Sequence, residues 1–585
     1  MRSLFWAGVV FLLAAILLHV ATDAPRSGEL TLLTVADAAN GGRGGTADVR
    51  LEIRPGTGAV FIDSFPLTRL DTQASTRYAQ QVACDHLGVD CAAYDFYYTI
   101  RANTAVVGGP SAGGAMAVLT AAVLDGIPVN RSIAMTGTIN SGGVIGPVSG
   151  VRAKIDGARR AGIATVLIPV LTGPENETSN VTLGPLARGV VPELSTVEVT
   201  VVAVGTLDEA LSEFTGRPGR PAPAPPIPPP EYSARMRAIG DGICARNDDL
   251  RSRVAQRRLA YQDPNNYTRR IAAVLPDEGY ARASLCFSQN IELGTVIAQD
   301  LTEDGREVLL AEVLLRVAAV DNRTAPISTV GDLEVAAIVR ERTSEALDAI
   351  GGINVSDPAS AGDLAYADER VRSAESWSGL YGMPGAPLRI DDERVRRACL
   401  AKIAEADERI NYVRVYAPGA LAAAEDSLAR AYASDADPVL CILHAAKATA
   451  DANLIAGAIA VDSSRVDALL AEKLAAGERV LAERQAHGSF PILAYSYWRY
   501  AGQLRDDAPY SALTFAEQAL ELATLDMYFP RNGSWRLSPS LAQPLVFFFY
   551  GAAFALGISL LLWRAKALEG PARHRCRAGP SREKR

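Results

Sequence analysis

Lysine is almost missing from the first 400 residues of this 585-residue chain. Lys154 stands alone there, and arginine carries nearly all the other positive charge. Histidine is scarce as well, with five residues in all. No His-rich or C-x-x-C spacing offers ligands for zinc, and no cofactor is expected. No G-x-x-x-x-G-K-S/T occurs, which excludes a P-loop nucleotide site within these residues. A net charge of -8 gives no basis for nucleic-acid binding, and none is expected.

What is present sits around that lysine. Lys154 follows Ser111 by 43 residues, and Ser111 lies in Gly108-Gly109-Pro110-Ser111-Ala112-Gly113-Gly114. A serine hydroxyl is a poor nucleophile until a base takes its proton. Arginine cannot serve as that base near neutral pH, whereas a buried lysine can. The lysine must be neutral, so burial has to lower its pKa from about 10.4 by roughly three units, worth about 4 kcal/mol. Val148, Val151, Ala153, Ile155 and Ala158 supply small or apolar neighbours. The glycines around Ser111 let backbone N–H groups approach a substrate carbonyl, and a helix starting at Ser111 would aim its free N–H groups there. A simple helix N-cap is the bland reading of the same serine. His86, next to Asp85, is the only other candidate base for Ser111, and its place on a helix between Cys84 and Cys91 argues against a triad.

The length predicts more than one domain. Gly216–Pro230 reads GRPGRPAPAPPIPPP and should be an extended linker. Before it, residues 25–215 mix strand and helix patterns, which predicts an α+β domain. Strands are expected at Ala47–Ile53, Ala59–Ile62, Tyr94–Arg101, Ile133–Thr136, Val144–Gly146, Thr165–Val170 and Val197–Val204. Val106–Val107 should lead into the serine turn. Helices are expected at Asp71–Leu87, Ala112–Leu124, Arg152–Ala161 and Leu207–Phe214. After the linker, residues 231–540 carry helical spacing, for example at Val308–Ala319, Leu333–Ile350, Glu393–Val413, Ala420–Tyr432, Val466–Arg484 and Ala512–Leu525. This predicts a mainly α-helical domain whose Glu/Arg-rich faces are solvated. Tyr495, Tyr497, Trp498 and Tyr500 read as a core cluster.

Apolar stretches flank the body. Residues 4–22 form an N-terminal membrane anchor or signal segment, and residues 545–563 are long enough for a transmembrane helix. The basic tail 564–585 is cytoplasmic by the positive-inside rule, so the body lies outside the cytoplasm with the lipid bilayer as a partner. Six of the seven cysteines fall in that body. Of the fifteen connectivities open to six cysteines, neighbour pairing would give Cys84–Cys91, Cys244–Cys286 and Cys399–Cys441, as an oxidising compartment allows.

The stretches GGPSAGGAMAVLTAAVLDGIPV and AMTGTINSGGVIGPVSGVRAKIDGARRAGIATVLIP strongly resemble the proteolytic domain of Lon proteases, the S16 serine peptidases. The resemblance covers roughly residues 45–215. It implies Ser111 as nucleophile, Lys154 as general base and Thr136 as the residue that orients the lysine. It also implies polypeptide substrates and assembly into homo-oligomers, hexamers in the family. Neither Gly108 nor Pro110 supplies the acidic residue that the family usually has just before the nucleophile. Thr138 stands where many members carry Glu, and Ser149 replaces the first Gly of a Gly-Gly pair. With no P-loop, the chain looks like a stand-alone, membrane-anchored, ATP-independent protease acting on unfolded or flexible polypeptides. A non-catalytic binding or scaffold protein of the cell envelope, built on a Lon-like domain, is the alternative.

Overall fold

A computed structural model of the chain describes residues 26–36, 43–65, 67–102, 109–176, 179–221, 223–275, 278–321, 325–459, 465–529, 551 and 553–564. The N-terminal segment 4–22, Val106–Val107, Gly108 and most of the basic tail lie outside these residues.

The N-terminal part is built on an eight-stranded mixed sheet in the order β11-β12-β8-β5-β1-β2-β4-β3. Its strands are β1 (Arg26–Ala36), β2 (Arg43–Pro55), β3 (Val60–Phe65), β4 (Tyr94–Ala102), β5 (Ile133–Met135), β8 (Thr165–Pro169), β11 (Gly189–Val190) and β12 (Thr200–Val204). Two ribbons stand apart from it, β6 (Thr138–Asn140) with β7 (Val144–Gly146), and β9 (Leu171–Asn176) with β10 (Ser179–Pro185). Successive side chains of a strand point to opposite faces. Leu30 and Leu32 therefore join one core, while Leu33 joins another on the far side of the sheet. Helices α1 (Leu70–Leu87), α2 (Gly113–Asp125) and α4 (Leu207–Thr215) cover the first face. Helix α3 (Val151–Arg160) covers the second with Val151, Ile155 and Ala158. The sequence pattern places the first strand at Ala47–Ile53, but the sheet begins earlier, with β1 paired along β2 from Arg43 to Ile53.

The described residues of the linker region from Arg217 to Pro229 form no helix or strand, as its prolines dictate, yet they are tied down. The Arg220 N–H donates to Asp208 Oδ2 at 2.7 Å, and Ile227 N–H donates to Gln485 Oε1 at 2.9 Å.

Beyond it come α5 (Pro230–Gln256), α6 (Tyr267–Ala273), α7 (Gly279–Gln299), α8 (Glu303–Asp321), α9 (Val330–Ile350) and α10 (Ala361–Trp377). There follow α11 (Asp392–Arg414), α12 (Ala422–Ala433), α13 (Pro438–Ile459), α14 (Val466–Ala486), α15 (Ile492–Leu504) and α16 (Pro509–Ala523). Among the described helices, α13 alone is long and apolar enough to cross a membrane, but 78% of its apolar window is buried inside the fold, as in a core helix. Tyr495, Tyr497 and Tyr500 are buried in the helical core, and Trp498 Nε1 donates to Leu474 O at 3.0 Å. All three expected cysteine pairs lie at disulfide distance, with Cα separations of 5.8, 5.2 and 5.7 Å. They tie the end of α1 to the turn before β4, α5 to α7, and α11 to α13.

The expectation of solvated Glu/Arg faces is wrong for several helices. Lys402 and Arg409 of α11 are 0% and 2% exposed, and Glu521 of α16 is 1% exposed. A buried charge is tolerated only when paired or hydrogen-bonded. Lys402 Nζ pairs with Glu405 at 3.0 Å and also with Glu521, while Lys473 pairs with Glu517 at 2.5 Å. This network joins the two parts of the chain. Tyr78 OH lies 2.7 Å from Ser141 Oγ, which donates to Glu521 Oε2 at 2.6 Å. Arg484 Nη1 reaches Asp85 Oδ1 at 2.7 Å, and Arg479 Nη2 reaches Gly142 O at 2.8 Å.

Candidate active site

Ser111 lies in a 3-10 turn, Pro110–Ala112, that runs directly into α2. The α-helix itself begins at Gly113, one residue later than the expected Ala112. Gly109 enters the turn at φ 97°, a conformation that requires glycine. Its N–H donates to Asp71 Oδ2 of α1 at 3.1 Å, and Ser75 Oγ of the same helix donates to Pro110 O at 3.4 Å. Helix α1 thus grips the residues just before the serine. From the other side, Gly137 N–H donates to Ser111 O at 2.9 Å, and Gly114 N–H donates back to Gly137 O at 2.9 Å. A Cβ on Gly114 would lie 2.7 Å from the mobile end of Met135 and 3.1 Å from Gly137 O, so α2 approaches the end of β5 closely here.

Lys154 sits in the first turn of α3 and is buried. Its Nζ donates to Thr136 Oγ1 at 3.0 Å. Thr136 is fully buried just past β5, its N–H fixed on Leu167 O at 3.0 Å. Having accepted from the lysine, its hydroxyl donates onward to Ser111 O at 3.4 Å. The three residues singled out by sequence therefore converge, with Thr136 between the other two.

Helix α3 reaches this position by lying against the start of β2. A Cβ on Gly44 would fall 1.7 Å from Ala153 O, and one on Gly157 would fall 2.8 Å from Gly44 C. Arg160 Nη2 adds a bond to Gly44 O at 2.6 Å.

His86 is not part of this group. It is eleven residues along α1 from Ser75, about 16 Å at 1.5 Å per residue. It faces Asp208 at 3.7 Å, while Asp85 is taken by Arg484. Burial, with Arg220 and Arg479 nearby, lowers its pKa to about 4. Among the described residues no cluster of His, Cys, Asp and Glu could hold a metal ion.

Sequence reasoning missed the roof over the site. Helix α11 packs against α1 and the Pro110–Ala112 turn. Lys402 Nζ stands 5.9 Å from the centre of the Tyr78 ring, Arg409 Nη2 donates to Ile139 O at 3.2 Å, and Tyr416 OH lies 2.5 Å from Ser149 Oγ. Asp71 also went unnoticed, since an acidic residue opening a helix reads as a favourable dipole contact.

Residues 83–210 match the family model of the Lon protease (S16) C-terminal proteolytic domain. The matched stretch contains Ser111, Thr136 and Lys154. A Lon protease of Syntrophomonas wolfei is 36% identical over 145 residues, 24% of this chain and 16% of that protein. A Lon protease of Geobacter metallireducens is 32% identical over 167 residues, 27% of this chain and 19% of its own length. Lon protease 2 of Thermus thermophilus is 32% identical over 132 residues, 22% and 16% respectively. The chain thus spans less than a fifth of these relatives. The grip of Asp71 and Ser75 and the α11 roof lie outside the region of the Lon-type family match.

Thr136 offers a clean test of the geometry. Thr136→Val keeps the shape and removes both hydroxyl bonds. On the catalytic reading, peptide-cleaving kcat should fall roughly 10- to 100-fold, within the usual worth of acid–base assistance, with a shifted pH–rate profile. Thr136→Ser should restore most of it. An unchanged kcat and profile in the valine variant would rule out an orienting role.

Proposed function

We propose that this chain is a membrane-anchored serine endopeptidase that hydrolyses peptide bonds in unfolded or flexible polypeptides without ATP, outside the cytoplasm. The observation that carries the reading is that Lys154 Nζ bonds Thr136 Oγ1, which bonds the main-chain carbonyl of Ser111, inside a segment that matches the Lon-type proteolytic domain. In this mechanism neutral Lys154 Nζ takes the Ser111 hydroxyl proton as Oγ attacks the scissile carbonyl. The protonated lysine then gives that proton to the leaving amine. A water, activated the same way, releases the acyl group from Ser111.

ATP independence rests on the lack of a P-loop within the 585 residues. Location outside the cytoplasm is supported by the three cysteine pairs at bonding distance and by the basic tail after residue 563. The described part of the C-terminal stretch, Ala553–Arg564, is an apolar helix with every described residue exposed, as a membrane helix outside its bilayer would be. The helical part would position substrate over the site.

The full-length protein in detergent or nanodiscs should cleave an unfolded protein such as casein without ATP, and Ser111→Ala should not. If a folded wild-type protein leaves casein intact, the non-catalytic scaffold reading replaces this one.

A further inference from the structure

The large sheet ends on β3, and no described strand pairs with its outer side. An edge strand presents a row of unpaired N–H and C=O groups, and proteins usually guard such edges with lysine, proline or a bulge. β3 has none of these. It reads VFIDSF and pairs with β4 residue for residue. Its one charge, Asp63, is held by Arg101. What the edge shows instead is apolar. Phe61 is half exposed and stacks on Tyr97, ring centres 4.7 Å apart. Phe65 is 72% exposed, and the connection to α1 adds Leu67 at 78% and Leu70 at 81%. Apolar surface of this kind beside a free edge marks a place where another chain binds.

The edge leads to the serine. Leu70 precedes Asp71, whose carboxylate binds the Gly109 N–H, and Gly109 is two residues from Ser111. Ser64 Oγ lies 3.4 Å from Thr68 Oγ1, which keeps the connection close to the end of β3. Across the sheet, the registers set Phe65, Arg101, Asp48, Thr31 and Ala134 in one row. Four strand spacings of about 4.8 Å make roughly 19 Å. Two residues past Ala134 is Thr136, whose hydroxyl holds Ser111 O. The end of β3 is thus about six residues of extended chain from the serine.

An unfolded polypeptide has what this edge lacks: free backbone groups to pair and apolar side chains to bury. A second copy of the chain fits less well, because the other end of the sheet is β11, whose two residues are too few to continue β3. We propose that β3 is a remote substrate subsite, to whose free edge an extended, apolar segment of the polypeptide adds as a further strand, about six residues from the bond cut at Ser111. Main-chain hydrogen bonds supply affinity there, and Phe65, Leu67 and Leu70 favour apolar side chains. This names a substrate class for the proteolytic reading and rests on it for the cut, but the strand itself can be tested by binding alone.

The binding test uses full-length Ser111→Ala protein in nanodiscs and a fluorescent peptide of alternating Leu and Ser. Its twin is N-methylated along the segment, which keeps the side chains and removes the N–H donors. By anisotropy, the unmethylated peptide should bind at least about tenfold more tightly, the worth of two or more backbone hydrogen bonds. Phe65→Ser combined with Leu67→Ser should weaken it at least about tenfold, as loss of apolar burial requires. Both positions are exposed, so the fold should tolerate the change. Val197→Ser, equally exposed but before β12 at the far end of the sheet, should have no effect. In the wild type, mass spectrometry of cleaved long peptides should place the cut about six residues from the apolar segment and show it moving when the segment is moved. Equal affinity of the twins, affinity unchanged by the double substitution, or cuts that ignore the segment overturn the proposal. So does self-association of the wild type that the double substitution abolishes, since a second copy would then occupy the edge. Casein left intact by the wild type, with methylation-sensitive binding that the double substitution removes, would discard the protease and keep the strand site. Casein cleaved without such binding would do the reverse.

Discussion

Lys154→Arg should abolish cleavage while leaving the fold in place. The substitution keeps a positive charge in the first turn of α3 and a donor within reach of Thr136 Oγ1, so a purely electrostatic or structural role would survive it. Base catalysis would not, because a guanidinium keeps its proton under any condition in which the protein is folded. With no neutral nitrogen, the Ser111 proton has no acceptor. The rate should drop by roughly 10²–10⁴, the usual contribution of a positioned acid–base group. The measurement is kcat/KM on a fluorogenic peptide and on casein, with the melting temperature alongside. Lys154→Met, which removes the charge and keeps the apolar stem, should be equally dead. If the arginine variant kept more than a tenth of wild-type activity at an unchanged melting temperature, Lys154 would not be the base.

The legible part of this molecule was the part encoded locally. Ser111, Thr136 and Lys154 are fixed in space by short segments, each running from a strand or turn into the next element, so spacing alone brings them together. The alternation in Ala47–Ile53 and Tyr94–Arg101 marked strands that pair with each other. Each expected cysteine pair joins neighbours in the order of the chain, which is why the simplest pairing agreed with the distances. What could not be read is long-range. Ser141 meets Glu521 across 380 positions, and Arg484 meets Asp85 across 399. A Glu or Arg at helical spacing reads as a wet face unless its partner is known, and here the partners come from the other end of the chain. β1 was missed for a related reason. Its mixed Arg26–Ala36 segment becomes a strand by lying between β2 and β5.

These long-range contacts give the helical part a role that the linker composition hides. A proline-rich connection suggests two bodies free to move apart. Instead, α1 is held by both. Its first two turns carry Asp71 and Ser75 on the serine turn. Tyr78, in its middle, meets Ser141 and through it Glu521, and Asp85 near its end meets Arg484. A change in how the helical part seats on α1 therefore bears directly on the residues that precede Ser111. The family-model match begins at residue 83, after Asp71, Ser75 and Tyr78, and ends at residue 210, before Arg484 and Glu521.

Gly44→Ala should cripple the enzyme from the opposite face of the sheet. The added methyl would sit 1.7 Å from Ala153 O and 2.5 Å from Ala153 C, well inside contact distance, and both atoms are backbone. No side-chain rotation can relieve that overlap, so either β2 or α3 must move by more than 1 Å. β2 is paired along its length with β1 and β4, whereas α3 is a ten-residue helix lying on the sheet. The helix should move, and it carries Lys154 next to the displaced Ala153. A displacement of about 1 Å in a reacting group can cost on the order of 10²-fold in rate. Forcing a methylene-sized group into a packed contact typically costs about 1–3 kcal/mol of stability. The two effects can be separated with Gly126→Ala, at the left-handed end of α2 with φ 69° and open space around it. That control should lose about 1 kcal/mol, from the conformational strain alone, and keep its kcat. Gly44→Ala should lose kcat far beyond the control at matched stability, with KM little changed, because the lysine acts on the serine and not on substrate binding. Equal kcat in the two variants would mean that α3 absorbs the methyl without moving Lys154, and that the Gly44 contact serves packing only.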